Sequence, residues 1–97
     1  ARCIFMEKRT KRTNLESANL RGADLTNANL ANAAASGAYL READLTGADL
    51  SGADLSSANL KDANLTDAKL DGAKLDGAKF CGTVMPDGSK NDEGCAP

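Results

Sequence analysis

The sequence predicts an all-β solenoid, a coil with four short sides, and three observations carry that reading. A hydrophobic residue recurs at every fifth place from residue 15 to residue 80, a small residue stands two places before it, and the exposed positions echo one another at a spacing of twenty. The stretch "ADLTGADLSGADLSSANL" at 43–60 repeats its five-residue word almost without change. There are fourteen such pentads; twelve of the centres are Leu, with Ala35 and Phe80 the departures, and the place two before is Ala in all but the first, which has Thr13.

A period of five fits neither regular element. On an α-helix a step of two advances about 200° and a step of five about 140°, so Ala and Leu would spread around every side and leave no apolar face. In extended chain, residues two apart share a face, which points each Ala-x-Leu pair one way; five is odd, so a straight strand would send the next pair the other way. The chain must therefore turn once per pentad. The residues that follow each Leu (Thr-Gly, Ser-Gly, Ser-Ser, Asp-Gly) are types that accept tight turns.

The exposed positions give the number of sides. Arg21, Arg41 and Lys61 share one phase, Thr26, Thr46 and Thr66 the next, and Asp24, Asp44 and Asn64 recur in the threonine phase. Like stands over like every four pentads, which makes a quadrilateral coil with Leu and Ala inside. Fourteen pentads give three and a half coils. At about 4.8 Å per coil the regular stack is about 17 Å tall. The expected core ladder is Leu20, Leu25, Leu30, Leu40, Leu45, Leu50, Leu55, Leu60, Leu65, Leu70, Leu75 and Phe80.

This repeat resembles the pentapeptide-repeat family, whose motif is A(D/N)LXX, and the match runs from Thr13 to Gly82. The resemblance implies a right-handed quadrilateral β-helix; the handedness comes from the family and not from the period. The motif is broken at Ala33-Ala34-Ala35, which lacks the large central residue, and at Lys69, Lys74 and Lys79, where Asp or Asn is usual.

A stacked coil exposes backbone and apolar interior at its ends and needs caps. Residues 1–12, "ARCIFMEKRTKR", are read as an N-terminal cap: Cys3 and Phe5 share the later Ala and Leu phase, so the segment is either a degenerate first coil or a short capping helix. Residues 13–82 form the β-helix, and 83–97 a capping tail in which Thr83 and Met85 stay in phase until Pro86-Asp87-Gly88 forces a turn. Cys81 and Cys95 bracket that tail, and in an oxidising compartment a bridge between them would contribute about 3 kcal/mol by loop closure; otherwise they are two inert thiols. Cys3 is left over and fits a small buried hydrophobe. The tail is also similar to the ends of cyanobacterial and thylakoid-lumen members of the family, where Phe-Cys-x-Thr-x-Met-Pro-Asp-Gly is followed by a second Cys. A start at Ala1 agrees with a processed chain or with a trimmed one.

Charge has to be read by location, because the formal net charge is only -2. Arg21, Arg41 and Lys61 stack in one column, with Glu42 and Asp62 beside them as offsets, and Tyr39 projects outward on the same face. These four, Arg21, Tyr39, Arg41 and Lys61, are the candidate partner-binding face; the plain alternative is a solvated surface. Lys69 falls one coil above Asp49 and Lys74 one coil above Asp54, as expected of cross-coil ion pairs worth about 0.2–1 kcal/mol each. The threonine ladder reads as a flat β-compatible surface.

Composition excludes much else. At 97 residues, with 41% hydrophobic and 3% aromatic content and neither His nor Trp, the chain has a slender Ala and Leu core with no room for a deep pocket. Without His, and with its carboxylates spread over convex faces, it offers no enclosed acid–base pair, so no enzyme activity, cofactor or metal is expected. The tail carboxylates Asp87, Asp92 and Glu93 with Asn91 read as a polar turn rather than a calcium loop. Glycines at 22, 37, 47, 52, 72, 77 and 82 all hold the last place of a pentad, where the turn explains them better than a phosphate would. No apolar run approaches the ~18 residues of a membrane span.

Two readings of function follow. One is a structural or protein-interaction module with an unidentified protein partner, monomeric or paired end to end, in a thylakoid lumen, with a bacterial periplasm or cytoplasm as the alternative location. The other comes from the resemblance alone: family members that confer quinolone resistance are similar to duplex DNA in shape and charge and bind gyrase. Between residues 13 and 82 there are ten acids and six bases, a net of -4, and the bases lie on the faces, which counts against mimicry. No nucleic-acid partner is expected.

Overall fold

Each pentad spends three residues on a side and two on a corner. The computed structural model describes residues 13–93; the expected cap over 1–12, with Cys3 and Phe5, and the expected bridge partner Cys95 lie outside the described residues. In every side the Ala and Leu point inward and the residue between them points outward, the two-residue alternation of extended chain. At the corner the Ala N–H donates to the Leu carbonyl three residues earlier, as in Ala23 to Leu20 at 3.0 Å and Ala48 to Leu45 at 2.9 Å. Within the coils, positive φ falls on the residue before that inward Ala, or before Thr83 in the last corner, the signature of a type II turn. Half of these corner positions are Gly and half are Ser, Asn, Asp or Glu42, whose φ is 63°. The turn redirects the next pair inward, which is how an odd period keeps one interior.

The coil closes after twenty residues. Parallel pairing links each outward residue to the one twenty places on, from Asn14 with Ala34 to Asn64 with Val84. Each pairing is a two-way exchange across the coils: Leu25 N–H donates to the Asp44 carbonyl at 2.8 Å, and Asp44 N–H to the Ala23 carbonyl at 2.9 Å. Four sides per coil and ladders running along the stack make the quadrilateral β-helix expected from the repeat.

The core is a stack of Leu and Ala rungs. Leu25, Leu45, Leu55, Leu60 and Leu65 are wholly buried, and Leu20, Leu30, Leu40, Leu50 and Phe80 nearly so. Ala35 is also buried, so the small centre is tolerated among larger neighbours. Two members of the expected ladder are different: Leu70 and Leu75 are only partly buried, because no further complete coil stacks on the last one.

The tail does part of that covering. Thr83–Val84 (β1) pairs antiparallel with Lys90–Asn91 (β2), Thr83 opposite Asn91 and Val84 opposite Lys90. Coil bonding runs on into it, since Leu65 N–H reaches the Val84 carbonyl at 2.7 Å and Asp67 N–H reaches Pro86 at 3.1 Å. Thr83 takes the inward place of the usual Ala and is fully buried; its hydroxyl donates to the Leu60 carbonyl at 2.6 Å, which satisfies the buried polar group. At the Pro86-Asp87-Gly88 turn Met85 N–H donates to Ser89 at 2.7 Å, and the tail returns so that Phe80 N–H meets the Glu93 carbonyl at 3.0 Å. Cys81, just before the tail, is disulfide-bonded.

Candidate functional site: the basic face

The outward Asp or Asn of each pentad has a local task. Its Oδ1 accepts the N–H of the residue two places on, for example Asn19 with Arg21 at 3.2 Å, Asp54 with Ser56 at 3.0 Å and Asn59 with Lys61 at 3.1 Å. That bond occupies the corner's outward N–H, the one donor that the coil ladders leave over. By phase alone the D/N place is an exposed position that recurs at twenty; the two-residue spacing to a turn N–H is the signal that explains its residue type.

On the threonine face this capping is complete. Asp24 accepts both the N–H and the hydroxyl of Thr26, at 3.2 and 2.8 Å, and Asp44 does the same for Thr46, at 3.1 and 2.6 Å. Asn64 serves Thr66 in the same way. The Thr26 hydroxyl and N–H hold the Asp24 carboxyl below its ordinary pKa; Ser51 does this to Asp49, chiefly through its N–H, and Ser89 to Asp87, chiefly through its hydroxyl.

The basic face departs from that pattern at its middle coil. Asn19, Tyr39, Asn59 and Lys79 form one column of paired residues. Beside it run Arg21, Arg41, Lys61 and Cys81, linked by Gly22 to Arg41 at 2.8 Å, Glu42 to Lys61 at 2.9 Å and Asp62 to Cys81 at 2.9 Å. Tyr39 stands where Asn or Asp would cap, so the Arg41 N–H finds no side-chain acceptor among the described residues. The Arg41 Nε is buried and also lacks an acceptor among the described residues. Arg21, in contrast, is paired: its Nε lies 3.3 Å from Glu42 Oε1.

These side chains surround a depression of about 300 Å³ lined by Asn19, Arg21, Tyr39, Arg41 and Asn59. Three of the four expected face residues, Arg21, Tyr39 and Arg41, therefore come together around one hollow, with Tyr39 54% exposed at its edge. Lys61 continues the column one coil above and is not part of the lining. Of the expected offsets, Glu42 neutralises Arg21, whereas Asp62 turns its carboxylate over Gly82.

The other candidates are placed less closely. Lys69 sits in register over Asp49, and Lys74 over Asp54. Asp49, however, spends its carboxylate on the Ser51 N–H at 3.0 Å, and Lys69 acts on it only through its charge. In the tail Asp87 serves Ser89, Asn91 serves the Glu93 N–H at 2.8 Å and Asp92 serves the Gly82 N–H at 3.1 Å, so these oxygens do not converge. Among the described residues no group of three or more His, Cys, Asp or Glu is arranged for a metal, and no helix is long and apolar enough to cross a membrane.

Comparison with known proteins places this geometry. Residues 11–47 and 48–85 match the family model for pentapeptide repeats, with eight copies. Among solved structures, a pentapeptide repeat protein from the Arabidopsis thaliana thylakoid lumen is 37% identical, over 82% of this chain and 56% of that one, with a TM-score of 0.73. A pentapeptide repeat protein from the cyanobacterium Cyanothece 51142 is 27% identical, over 81% and 65%, with a TM-score of 0.57. One from Nostoc PCC 7120 is 43% identical over 71% and 61%, with a TM-score of 0.49. The chain thus spans a little over half the length of the Arabidopsis protein. Among curated protein sequences none matches.

Proposed function

Because the chain belongs to the pentapeptide-repeat family, we propose that it is a non-enzymatic structural and protein-interaction module of a photosynthetic lumen, and that the basic face is where a partner meets it. The observation that carries this reading is the contrast between a side-chain-filled interior and a face where a buried donor, the Arg41 Nε, lacks an acceptor among the described residues. Leu and Ala fill the coil, so chemistry has to happen on the outside. On the outside, the charged and aromatic groups that surround a hollow are Arg21, Arg41 and Tyr39.

Three features support the lumen. The Arabidopsis relative comes from a thylakoid lumen. Cys81 is disulfide-bonded, which suits an oxidising compartment. The Phe80-Cys81-Gly82-Thr83-Val84-Met85-Pro86-Asp87-Gly88 tail resembles those of cyanobacterial and thylakoid-lumen members of the family. The competing reading, a DNA-mimicking binder of gyrase, needs an acidic surface, and the Arg21, Arg41 and Lys61 column interrupts it.

The test is a thiol count by intact mass on protein from its native compartment, followed by affinity capture from the same extract. A bridged pair with one free thiol and a captured lumenal protein are the expected results. Three free thiols with gyrase among the captured proteins would overturn both parts.

A further inference from the structure

Resting on the interaction-module reading, we infer that the hollow on the basic face recognises an extended acidic peptide segment, taking one carboxylate at Arg41 and a second, two residues further on, at Lys61. Three observations carry this inference, and each concerns a different group.

The first is the unspent donor set of Arg41. Its Nε is buried without an acceptor among the described residues, and its N–H has lost the cap that Asn19 and Asn59 give their own coils. A buried donor without an acceptor costs free energy that an incoming oxygen recovers. A guanidinium offers a planar fork that fits the two oxygens of a carboxylate. Arg21 is already matched by Glu42, so among the described residues Arg41 is the cation of the hollow without an ion pair.

The second is dimension. Asn19, Tyr39 and Asn59 are successive rungs, so the hollow spans two coil steps, about 9.6 Å, the length of about three extended residues. Alternate side chains of such a segment are about 6.8 Å apart and point the same way. Lys61, one rung above Arg41 and half-buried, is within reach of the second carboxylate. Tyr39, 54% exposed, supplies a flat apolar flank for the residue between them.

The third is charge distribution, which separates a short acidic peptide from a polyanion. The surface next to this face, with Asp24 and Asp44, is acidic, so a nucleic acid or long polyphosphate laid across the coil is repelled over most of its length. A segment with two carboxylates engages only the basic column.

The probe is a short capped peptide alternating glutamate and serine, titrated at low salt into the isotopically labelled full chain while amide shifts are followed. Shifts confined to residues 19, 21, 39, 41, 59 and 61 are expected. Arg41→Gln should weaken binding by about tenfold or more, and Arg41→Lys, which keeps the charge but loses the fork, by less. Tyr39→Asn, which restores the repeat's own residue type and caps the Arg41 N–H, should weaken it by about threefold to tenfold. Thr46→Ala, on the neighbouring face, should leave it unchanged. If Arg41→Gln fails to fold, Tyr39→Asn and Arg41→Lys carry the same test.

Equal binding of the same peptide with glutamine in place of each glutamate, equal affinity for inorganic phosphate, or unchanged affinity in Arg41→Gln would each overturn the inference. Failure here is distinguishable from failure of the broader reading. A lysate partner captured as well by Arg41→Gln as by the natural chain removes this site but keeps the module. Peptide binding at this face with no captured partner does the reverse.

Discussion

The threonine face and the basic face are built on the same backbone, one corner apart, yet only one of them has donors to spare. On the threonine face Asp24, Asp44 and Asn64 each take up a corner N–H and a hydroxyl of the following residue. On the basic face Asn19 and Asn59 cap their corners, but Tyr39 between them cannot, and the Arg41 N–H and Nε find no acceptor among the described residues. A repeat makes every coil alike in backbone; what distinguishes the faces is the rungs at which they depart from the motif, Tyr39 and Lys79 on the basic column. Closure of polar groups within the chain leaves little for a ligand, and the missed cap at Tyr39 leaves the Arg41 donors on which the proposed site rests.

The comparison is tested most severely at the core, where the two faces should be equal. Leu60, behind the basic column, and Leu65, behind the threonine column, are both 0% exposed. Replacing either by Ala should cost about 2–5 kcal/mol in urea unfolding, and the two costs should agree to within about 1 kcal/mol. The partly buried Leu75 should cost clearly less. A large gap between Leu60→Ala and Leu65→Ala would mean that the faces differ in packing and not only in outward polar groups.

Next comes the end of the basic column. Cys81→Ser should lower stability by about 2–4 kcal/mol under oxidising conditions. Denaturation in the presence of a thiol reductant should bring the natural chain and the variant together. A difference that persists after reduction would assign the effect to the side chain and not to the crosslink.

The caps themselves predict opposite signs on the two faces. Asn64→Ala removes both bonds to Thr66 and should cost about 1 kcal/mol, while Tyr39→Asn adds the missing bond and should raise stability by about 0.5–1 kcal/mol. A destabilised Tyr39→Asn would show that the tyrosine contributes packing the capping argument omits. Glu42 should give the smallest mutational change. Glu42→Gly relieves a side chain held at φ 63° but gives up the exposed ion pair with Arg21, so the net shift should stay within about 1 kcal/mol.

Acid should also separate the faces. Asp24 and Asp49 titrate below their ordinary range because their carboxylates accept hydrogen bonds from Thr26 and Ser51. A depressed folded-state pKa contributes stability that is present above the unfolded value, about 3.9, and is lost as pH falls through the lower folded value. The caps on the basic face, Asn19 and Asn59, have no proton to gain in that range. Thermal melts of the natural chain and of Asp24→Asn should therefore converge as pH drops below about 4. A constant difference between them would mean that the Asp24 bonds do not survive in solution.

Much of this molecule was legible because its rules are local. The inward pair, the two-residue corner and the stacking at twenty all follow from a period that only a turning chain can satisfy, and Tyr39, Arg41 and Arg21 were placed on one outward face by phase alone. Leu70 and Leu75 were misjudged as full members of the ladder, since a period says where a side chain points and not whether another coil covers it. The cross-coil pairing of Lys69 with Asp49 was right in register but weak in contact, because the carboxylate had a nearer donor in Ser51.

The sequence by itself determined the coil, its four sides, its Leu and Ala interior and the order of residues along each column, because each depends on spacing within five or twenty residues. Only the tertiary structure decided which donors go unmet. Whether the Arg41 Nε is buried and whether an acceptor lies beside it depend on Tyr39, Glu42 and the rungs above and below, which meet only once the chain has stacked upon itself.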